Sequence, residues 1–305
     1  MSKRNYATVI VCAAFIILAF YDVTAFVDSS RRGLLLFGNN VLPVLFPFFF
    51  VSSLLVELDL FRRRGARLGV VMMSILSGYP TSARMLSELY ARGQITRQQA
   101  IRTATYTSTA SPIFVIATVG VSLYGDVRLG VIVFVAHLAG AMVNGLIYCG
   151  VGGKNPVAPW SLRGFKEPEA TPWGNHPASL REAPLHKGGE LATAISKALY
   201  NSVQNILAVG GLVVIFFVAS APFGVYVSAL LEMTGGVFHA SQSGVGGVWR
   251  AVIPCAIVSF GGLCVAVQAA VFFRAFALPM WFYALYKATH AVLAVIICII
   301  LGSIF

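Results

Sequence analysis

Long apolar stretches, separated by short polar ones, run through most of the chain. A transmembrane helix needs about 20 consecutive, mainly apolar residues. Six stretches reach that length, at about 6–27, 33–57, 99–124, 128–150, 191–222 and 278–303. The pattern predicts an all-α polytopic membrane protein with about six spanning helices.

Two further apolar stretches are long enough to cross a membrane but are interrupted at their centres. The stretch 65–91 contains Ser-Gly-Tyr-Pro at 77–80, and the stretch 248–274 contains Ser-Phe-Gly-Gly at 259–262. A helix broken at membrane depth leaves backbone polar groups unpaired, which is tolerated only inside protein or at a cavity. Interrupted segments at matching places in two halves indicate the binding site of a transporter.

Arginines on both sides of 65–91 indicate that both ends of this stretch face the cytoplasm, where basic loop residues accumulate. These arginines are Arg62, Arg63, Arg64, Arg67, Arg92, Arg97 and Arg102. A stretch that enters and leaves on one side is a re-entrant hairpin. The same rule places both chain termini in the cytoplasm, and we expect 248–274 to enter from the outside. Two opposed hairpins of this kind are what inverted repeats require.

These assignments divide the chain into four parts. An N-terminal transmembrane helix (1–32) precedes a first repeat (33–150), and a second repeat occupies 190–305. Between the repeats, 151–189 is rich in proline, glycine and charge and has no apolar periodicity. Such a composition predicts a flexible cytoplasmic linker.

Composition narrows the class of protein further. The chain is 58% hydrophobic and 11% charged, whereas soluble domains are about 25% charged. The net charge of +11 comes from basic residues in loops, so we expect contact with the lipid bilayer and no nucleic-acid binding. Five cysteines without CxxC spacing predict no metal site. We expect no enzyme and no cofactor, because P-loop, zinc-protease and nucleophile-elbow motifs are missing from the sequence.

An arginine lies six residues beyond the first glycine break. An arginine near the bilayer centre costs about 2.5–3.5 kcal/mol, so Arg84 should face protein or water, beside a ligand or paired with Glu88. The alternative is a side chain that reaches back to the membrane surface. Gln268 follows Gly262 at the same distance of six residues. We therefore expect the substrate between the two tips.

Polar residues in the neighbouring spans complete the predicted site. Hydroxyls precede Pro112, which frees a backbone carbonyl, so they either satisfy that carbonyl or contact a ligand. Asn201 and Gln204 share one helix face and either contact substrate or bond a neighbouring helix. The predicted substrate-binding residues are Gly78, Tyr79, Pro80, Thr81, Ser82, Arg84, Ser108, Thr109, Ser111, Asn201, Gln204, Gly261, Gly262 and Gln268.

Two carboxylates and two histidines have expected roles other than substrate binding. Glu57 and Glu232 each follow a Ser-x-Leu-Leu stretch, and each is either an interfacial carboxylate or a group that couples transport to Na⁺ or H⁺. His137 and His290 lie in the spans that close the two repeats. We expect them to form hydrogen bonds between helices.

Four motifs, in order, resemble the YlbJ family of sporulation integral membrane proteins. They are Val-Leu-Pro-Val-Leu-Phe-Pro-Phe-Phe-Phe (41–50), Ser-Gly-Tyr-Pro-x-x-Ala-Arg (77–84), Thr-Ala-Ser-Pro-Ile-Phe (109–114) and Ser-Phe-Gly-Gly-Leu (259–263). The family carries a nucleoside-recognition "Gate" domain and is similar to concentrative nucleoside transporters. The resemblance implies opposed hairpins, inverted repeats and movement of dipicolinate, a small aromatic dicarboxylate. Ser82, Ser108 and Ala266 depart from the family pattern.

These observations predict a secondary transporter or facilitator in the bacterial cytoplasmic (inner) membrane. Its substrate would be a small organic anion such as dipicolinate, bound by Arg84, Gln268 and the hydroxyls at 108–111. One alternative is a nucleoside or nucleobase transporter that uses amide side chains. Another is a membrane scaffold that transports nothing. The sequence leaves the coupling ion and a homo-oligomeric state open.

Overall fold

The structure is a computed structural model that describes residues 6, 9, 13, 15–17, 19–58, 66–150, 187–223 and 225–304. All regular structure in these residues is helical, which confirms the all-α class. The predicted linker lies outside the described residues as far as 186. Residues 1–32 are described only in part.

From Val23 onward, the described residues of the first half form six α-helices, named here in chain order. They are α1 (Val23–Leu36), α2 (Leu42–Glu57), α3 (Ala66–Ser77), α4 (Thr81–Ala91), α5 (Arg97–Thr107) and α6 (Val127–Ile147). Two π-helical segments connect some of them. Phe37–Val41 joins α1 to α2, and Ile113–Leu123 lies between α5 and α6.

The second half begins with the longest described helix. Its α-helices are α7 (Lys187–Ser220), α8 (Val225–Leu231), α9 (Met233–Ser241), α10 (Trp249–Phe260), α11 (Gly262–Phe273) and α12 (Met280–Ile304). A 3₁₀ turn, Arg274–Phe276, follows α11.

Four helical stretches among the described residues are long and apolar enough to cross a membrane. They are Val127–Ile147, Leu191–Ser220, Trp249–Phe276 and Met280–Ser303. Three shorter apolar helices are Leu45–Leu55, Arg67–Ser77 and Ile113–Leu123. Three of these stretches match predicted spans, whereas Trp249–Phe276 is the stretch predicted as the second hairpin, and the total of about six spans stays a prediction.

The predicted boundary between the first two spans falls inside a helix. The apolar pattern predicts one span that ends near 27 and a next one that begins at 33. In the structure, helical elements run without interruption from Val23 to Glu57. Asp22 caps its start by accepting a hydrogen bond from Ala25 N. Asp28 and Arg32 form an exposed ion pair four residues apart, which suits a helix better than a loop.

A four-part unit occurs twice along the chain. Each half has a long helical segment, two shorter helices packed on each other (α3 with α4, α8 with α9), a broken helix and a closing helix. Equivalent residues are 153 positions apart. Val127 and Met280, which begin the closing helices, have this separation, as do His137 and His290.

The two closing helices, α6 and α12, pack against each other in antiparallel orientation. The Tyr148 ring, just after α6, lies 5.5 Å from the Phe282 ring near the start of α12. His137 lies about three turns before Tyr148. It contacts His290, which lies about two turns after Phe282. Residue numbers thus rise along one helix as they fall along the other. Antiparallel packing of equivalent helices is the relation expected of inverted repeats.

Each short helix pair places its tip against the break of the broken helix in its own repeat. A Cβ on Gly78 would lie 2.5 Å from Ser111 N, and a Cβ on Gly262 would lie 3.2 Å from Leu230 O. Both glycines also have positive φ, +74° and +71°, which favours glycine. At both breaks, backbone therefore approaches backbone closely.

The stretch 248–274 differs from its predicted form. The sequence pattern pairs it, as a second hairpin, with 65–91. In the structure, its arms α10 and α11 meet at Gly261 but have largely different neighbours. Helix α10 packs on α6, α9 and α12, whereas α11 packs mainly on α4, α7 and α8, with a smaller contact to α12. The stretch that repeats the α3–α4 pair is α8–α9, centred on Glu232, and 248–274 repeats the broken helix 97–123. That any of these pairs turns back within a membrane stays a prediction.

Candidate functional site

Lys287 of α12 links the tip of α3–α4 to the break of the first broken helix. Its Nζ donates to Tyr79 Oη at 2.7 Å and to Ser108 O at 2.9 Å, and it lies 4.7 Å from the centre of the Tyr79 ring. Helix α5 ends at Thr107, and carbonyls at a helix C-terminus carry partial negative charge. A lysine of the second repeat therefore stabilises the broken helix of the first.

The two histidines continue this network between the repeats. His137 Nε2 accepts from Ala110 N at 2.9 Å, so the other ring nitrogen, Nδ1, carries the proton and faces Ser259 Oγ at 2.9 Å. His290 Nε2 lies 2.9 Å from the carbonyl oxygen of His137 and donates to it. Both histidines form hydrogen bonds between helices, as expected from the sequence.

A small cavity of about 60 Å³ lies where the tips and the breaks converge. Apolar side chains of α2, α7 and the segment Ile113–Leu123 form much of its wall. Its polar lining comes from both repeats and consists of Ser77, Tyr79, Ser111, Glu232, Thr234 and Gln268. The structure thus brings four of the residues predicted for substrate or coupling, Tyr79, Ser111, Glu232 and Gln268, to one cavity.

Glu232 occupies the tip between α8 and α9. It is 2% exposed and caps α9 with its carboxylate, which accepts from Thr234 N at 3.0 Å and from Gly235 N at 2.6 Å. Of the two alternatives for this residue, an interfacial carboxylate does not fit, because the side chain is buried at the cavity.

Arg84 lies in the first turn of α4, next to the cavity rather than in its wall. Its Nη2 donates to Ser52 Oγ at 3.3 Å, and its Nη1 lies 3.0 Å from Glu88 Oε1. Although the side chain is only 2% exposed, its Nε and Nη1 form no hydrogen bond with the described residues. Ser52 shares one face of α2 with Leu45, which lines the cavity.

The sequence is similar to a curated protein of known name. It is 26% identical over 315 aligned residues to the sporulation integral membrane protein YlbJ of Bacillus subtilis (strain 168), and the alignment covers 88% of this chain and 76% of that protein. This chain is YlbJ-like. No family model matches it, so the nucleoside-recognition domain stays a prediction. No solved structure matches it either.

The similarity and the apolar helices agree on the class of this YlbJ-like protein. It is an integral membrane protein. The resemblance to YlbJ sporulation membrane proteins that the sequence motifs predict is confirmed by this similarity.

Several predicted site residues contact backbone instead of the cavity. Thr109 Oγ1 donates to Ser74 O at 3.1 Å, and Ser108 Oγ donates to Ala104 O at 3.0 Å. These hydroxyls satisfy carbonyls near the break, which was one of the two alternatives for them. Thr81 bonds to Ser77 at the first tip. Pro80 precedes α4, and Ser82 lies buried in its first turn.

Three predicted polar residues lie apart from the cavity. Asn201 and Gln204 of α7 are partly or fully exposed and do not line it. Glu57 forms an ion pair with Arg92 at 2.7 Å near the end of α2. Glu57 therefore matches the interfacial alternative, whereas Glu232 does not.

Lys287 and Ser259 were not in the predicted site, yet they hold it together. An ionisable residue inside a predicted span is a recognised signal of function, and Lys287 carries that signal. Ser259 carried none, because a serine is common in membrane helices and its partner, His137, is 122 residues away.

Proposed function

We propose that this YlbJ-like protein is a secondary transporter or facilitator of a small organic anion across the bacterial cytoplasmic membrane. The observation that carries the proposal is the buried Arg84, whose Nε has no partner in the described part of the chain and whose Nη1 faces Glu88 at 3.0 Å without forming a hydrogen bond. Leaving buried charged donors unpaired costs about 1–3 kcal/mol or more. A carboxylate that binds the guanidinium would remove this cost.

The architecture around Arg84 supports transport. The breaks of the two broken helices are joined through His137, which bonds to Ala110 and Ser259, and equivalent helices run antiparallel. Discontinuous helices at the interface of inverted repeats are typical of secondary transporters. Alternating access then requires one repeat to move relative to the other around the site.

The charges near the site favour an anion at Arg84 rather than at Lys287. Lys287 already donates to Tyr79 and Ser108, whereas the Nε of Arg84 has no partner among the described residues. An aromatic dicarboxylate such as dipicolinate offers two carboxylates for bidentate pairing. The cavity of about 60 Å³ is smaller than the roughly 300–1,000 Å³ of most ligand pockets, so we propose that α2 and α4 separate when substrate enters.

Uptake of labelled dipicolinate into proteoliposomes tests this proposal. Arg84→Gln should lower the initial rate at least about tenfold, since a lost charge-assisted hydrogen bond costs about 1.5–3 kcal/mol. The control is Arg92→Gln, which removes an exposed arginine that pairs with Glu57 and should leave uptake near the wild-type rate. Equal uptake by Arg84→Gln and wild type would refute the proposal.

A nucleoside is the second candidate substrate. Its support is the neutral part of the cavity lining, where Gln268 and the hydroxyls of Ser111 and Tyr79 could bond a base or a ribose. Competition separates the two candidates. If unlabelled nucleosides block uptake and dicarboxylates do not, the nucleoside is favoured. If no compound of either class shifts the melting temperature, the scaffold alternative is favoured.

A further inference from the structure

The two tips have equivalent positions in the repeats but different ionic surroundings. Tyr79 and Glu232 are 153 positions apart, the separation that relates the closing helices. At the first tip, Tyr79 Oη accepts a hydrogen bond from the Lys287 amine at 2.7 Å. At the second tip, the equivalent residue carries a carboxylate.

In the described part of the chain, no lysine takes the position at the second tip that Lys287 takes at the first. The position equivalent to Lys287 is occupied by Phe134, an apolar residue that packs against the core. Among the residues that the structure describes, the ion pairs join Arg32 to Asp28, Arg84 to Glu88, Arg92 to Glu57 and Arg250 to Asp126. Glu232 is thus buried without a basic partner in that part of the chain.

Other oxygen atoms surround the space in front of Glu232. Gln268, 6% exposed, lines the cavity, and its amide nitrogen contacts Cys264 Sγ at 3.2 Å. Its side-chain carbonyl oxygen has no hydrogen-bond partner in the described residues. Ser111 and Thr234 add hydroxyl groups. Carboxylate, amide and hydroxyl oxygens are the ligands that hard cations prefer.

The size and charge of the cavity restrict the occupant. One water needs roughly 10–15 Å³, so about 60 Å³ holds a small ion with a few waters, whereas an organic solute needs the separation of α2 and α4 proposed above. Glu232 is the single carboxylate in the lining, and its charge matches one monovalent cation. A divalent ion would keep an uncompensated buried charge in this lining, which is costly.

We propose that Glu232 and Gln268 bind a sodium ion from solution in this cavity. The ion takes, at the second tip, the place that Lys287 takes at the first. The proposal deepens the proposed function, on which its role in transport rests, by naming the coupling ion and its site. Binding itself is measured without any transport.

Thermal unfolding of the full chain in detergent tests sodium binding. Samples are compared in NaCl, KCl and N-methyl-D-glucamine chloride at equal ionic strength and pH. A ligand that binds only the folded state stabilises it in proportion to ln(1 + [L]/Kd). We expect the melting temperature to rise saturably with NaCl and not with N-methyl-D-glucamine chloride. Equal curves in all three salts would overturn the proposal, as would a response to pH alone.

Two variants locate the site. Glu232→Gln should abolish the NaCl-dependent rise, and Gln268→Leu should raise the sodium midpoint at least tenfold. Glu57→Gln removes a carboxylate outside the cavity and should respond as the wild type does. Binding of ²²Na⁺ to Gln268→Leu decides the case if Glu232→Gln does not fold; unchanged binding there refutes the site. If sodium binds but no anion is transported, only the proposed function fails.

Discussion

At the scale of single residues, Lys287 shows how one side chain can support the backbone of another repeat. Its amine donates hydrogen bonds to Tyr79 at the tip of the α3–α4 pair and to the carbonyl oxygen of Ser108 at the break of the first broken helix. The sequence places Lys287 inside the apolar stretch 278–303. The partners of Lys287 cannot be identified from the sequence, because Tyr79 lies 208 positions away and contacts between distant residues depend on the packing of helices.

Lys287→Met should destabilise the protein. Methionine preserves most of the volume but leaves Ser108 O without its charged donor, and hydrogen bonds to charged groups contribute about 1.5–3 kcal/mol. We expect the melting temperature to fall by about 5 °C or more. Differential scanning fluorimetry in detergent measures the change. Lys197→Met, which alters a half-buried lysine of α7, is the control and should shift it by no more than about 1 °C; equal shifts would contradict the role of Lys287.

Arg84 illustrates a residue whose alternatives were resolved only by burial. The sequence allowed a side chain that reaches the membrane surface, a pair with Glu88, or a ligand contact. The structure buries the side chain and places Nη1 3.0 Å from Glu88 Oε1. Neither Nη1 nor Nε forms a hydrogen bond with the described residues. The first alternative is therefore excluded, and the other two are compatible with each other.

At the scale of elements, the breaks of the helices organise the molecule. Gly78 was singled out in the sequence because Gly-Tyr-Pro interrupts an apolar stretch, and α3 and α4 do pack on each other around it. The apolar pattern does not predict the equivalent pair, α8 with α9. Its helices have 7 and 9 residues, too few to span a membrane, and apolar length was the criterion for finding spans and hairpins.

Gly78→Ala and Gly262→Ala should both destabilise the breaks. A Cβ on Gly78 would lie 2.5 Å from Ser111 N, and both positions have positive φ, which costs a non-glycine residue about 1–2 kcal/mol. We expect a loss of at least that size, larger for Gly78, in thermal unfolding. Gly211→Ala is the matched control in α7, where no atom lies within 4 Å. That variant should be neutral or slightly stabilised, and a loss equal to that of Gly78→Ala would argue against close packing at the tip.

At the scale of the whole molecule, the repeat relation makes a prediction about sidedness. Ala91 follows the first helix pair, and Gly246 follows the second; both are exposed. In inverted repeats such equivalent segments lie on opposite sides of the membrane. In a Cys149→Ser background, a membrane-impermeant maleimide applied to intact cells should label Gly246→Cys. It should label Ala91→Cys only after permeabilisation. Labelling of both from one side would contradict inversion.

The sequence alone determined the class of the protein and the location of its main breaks. Apolar length, loop charge and the Gly-Tyr-Pro and Gly-Gly interruptions depend on local composition, so they can be read along the chain. Tertiary structure decided which segments are equivalent, that Lys287 serves one tip while Glu232 faces a cavity, and that Asn201 and Gln204 lie apart from it. These features depend on packing between residues more than 100 positions apart, which no local pattern records.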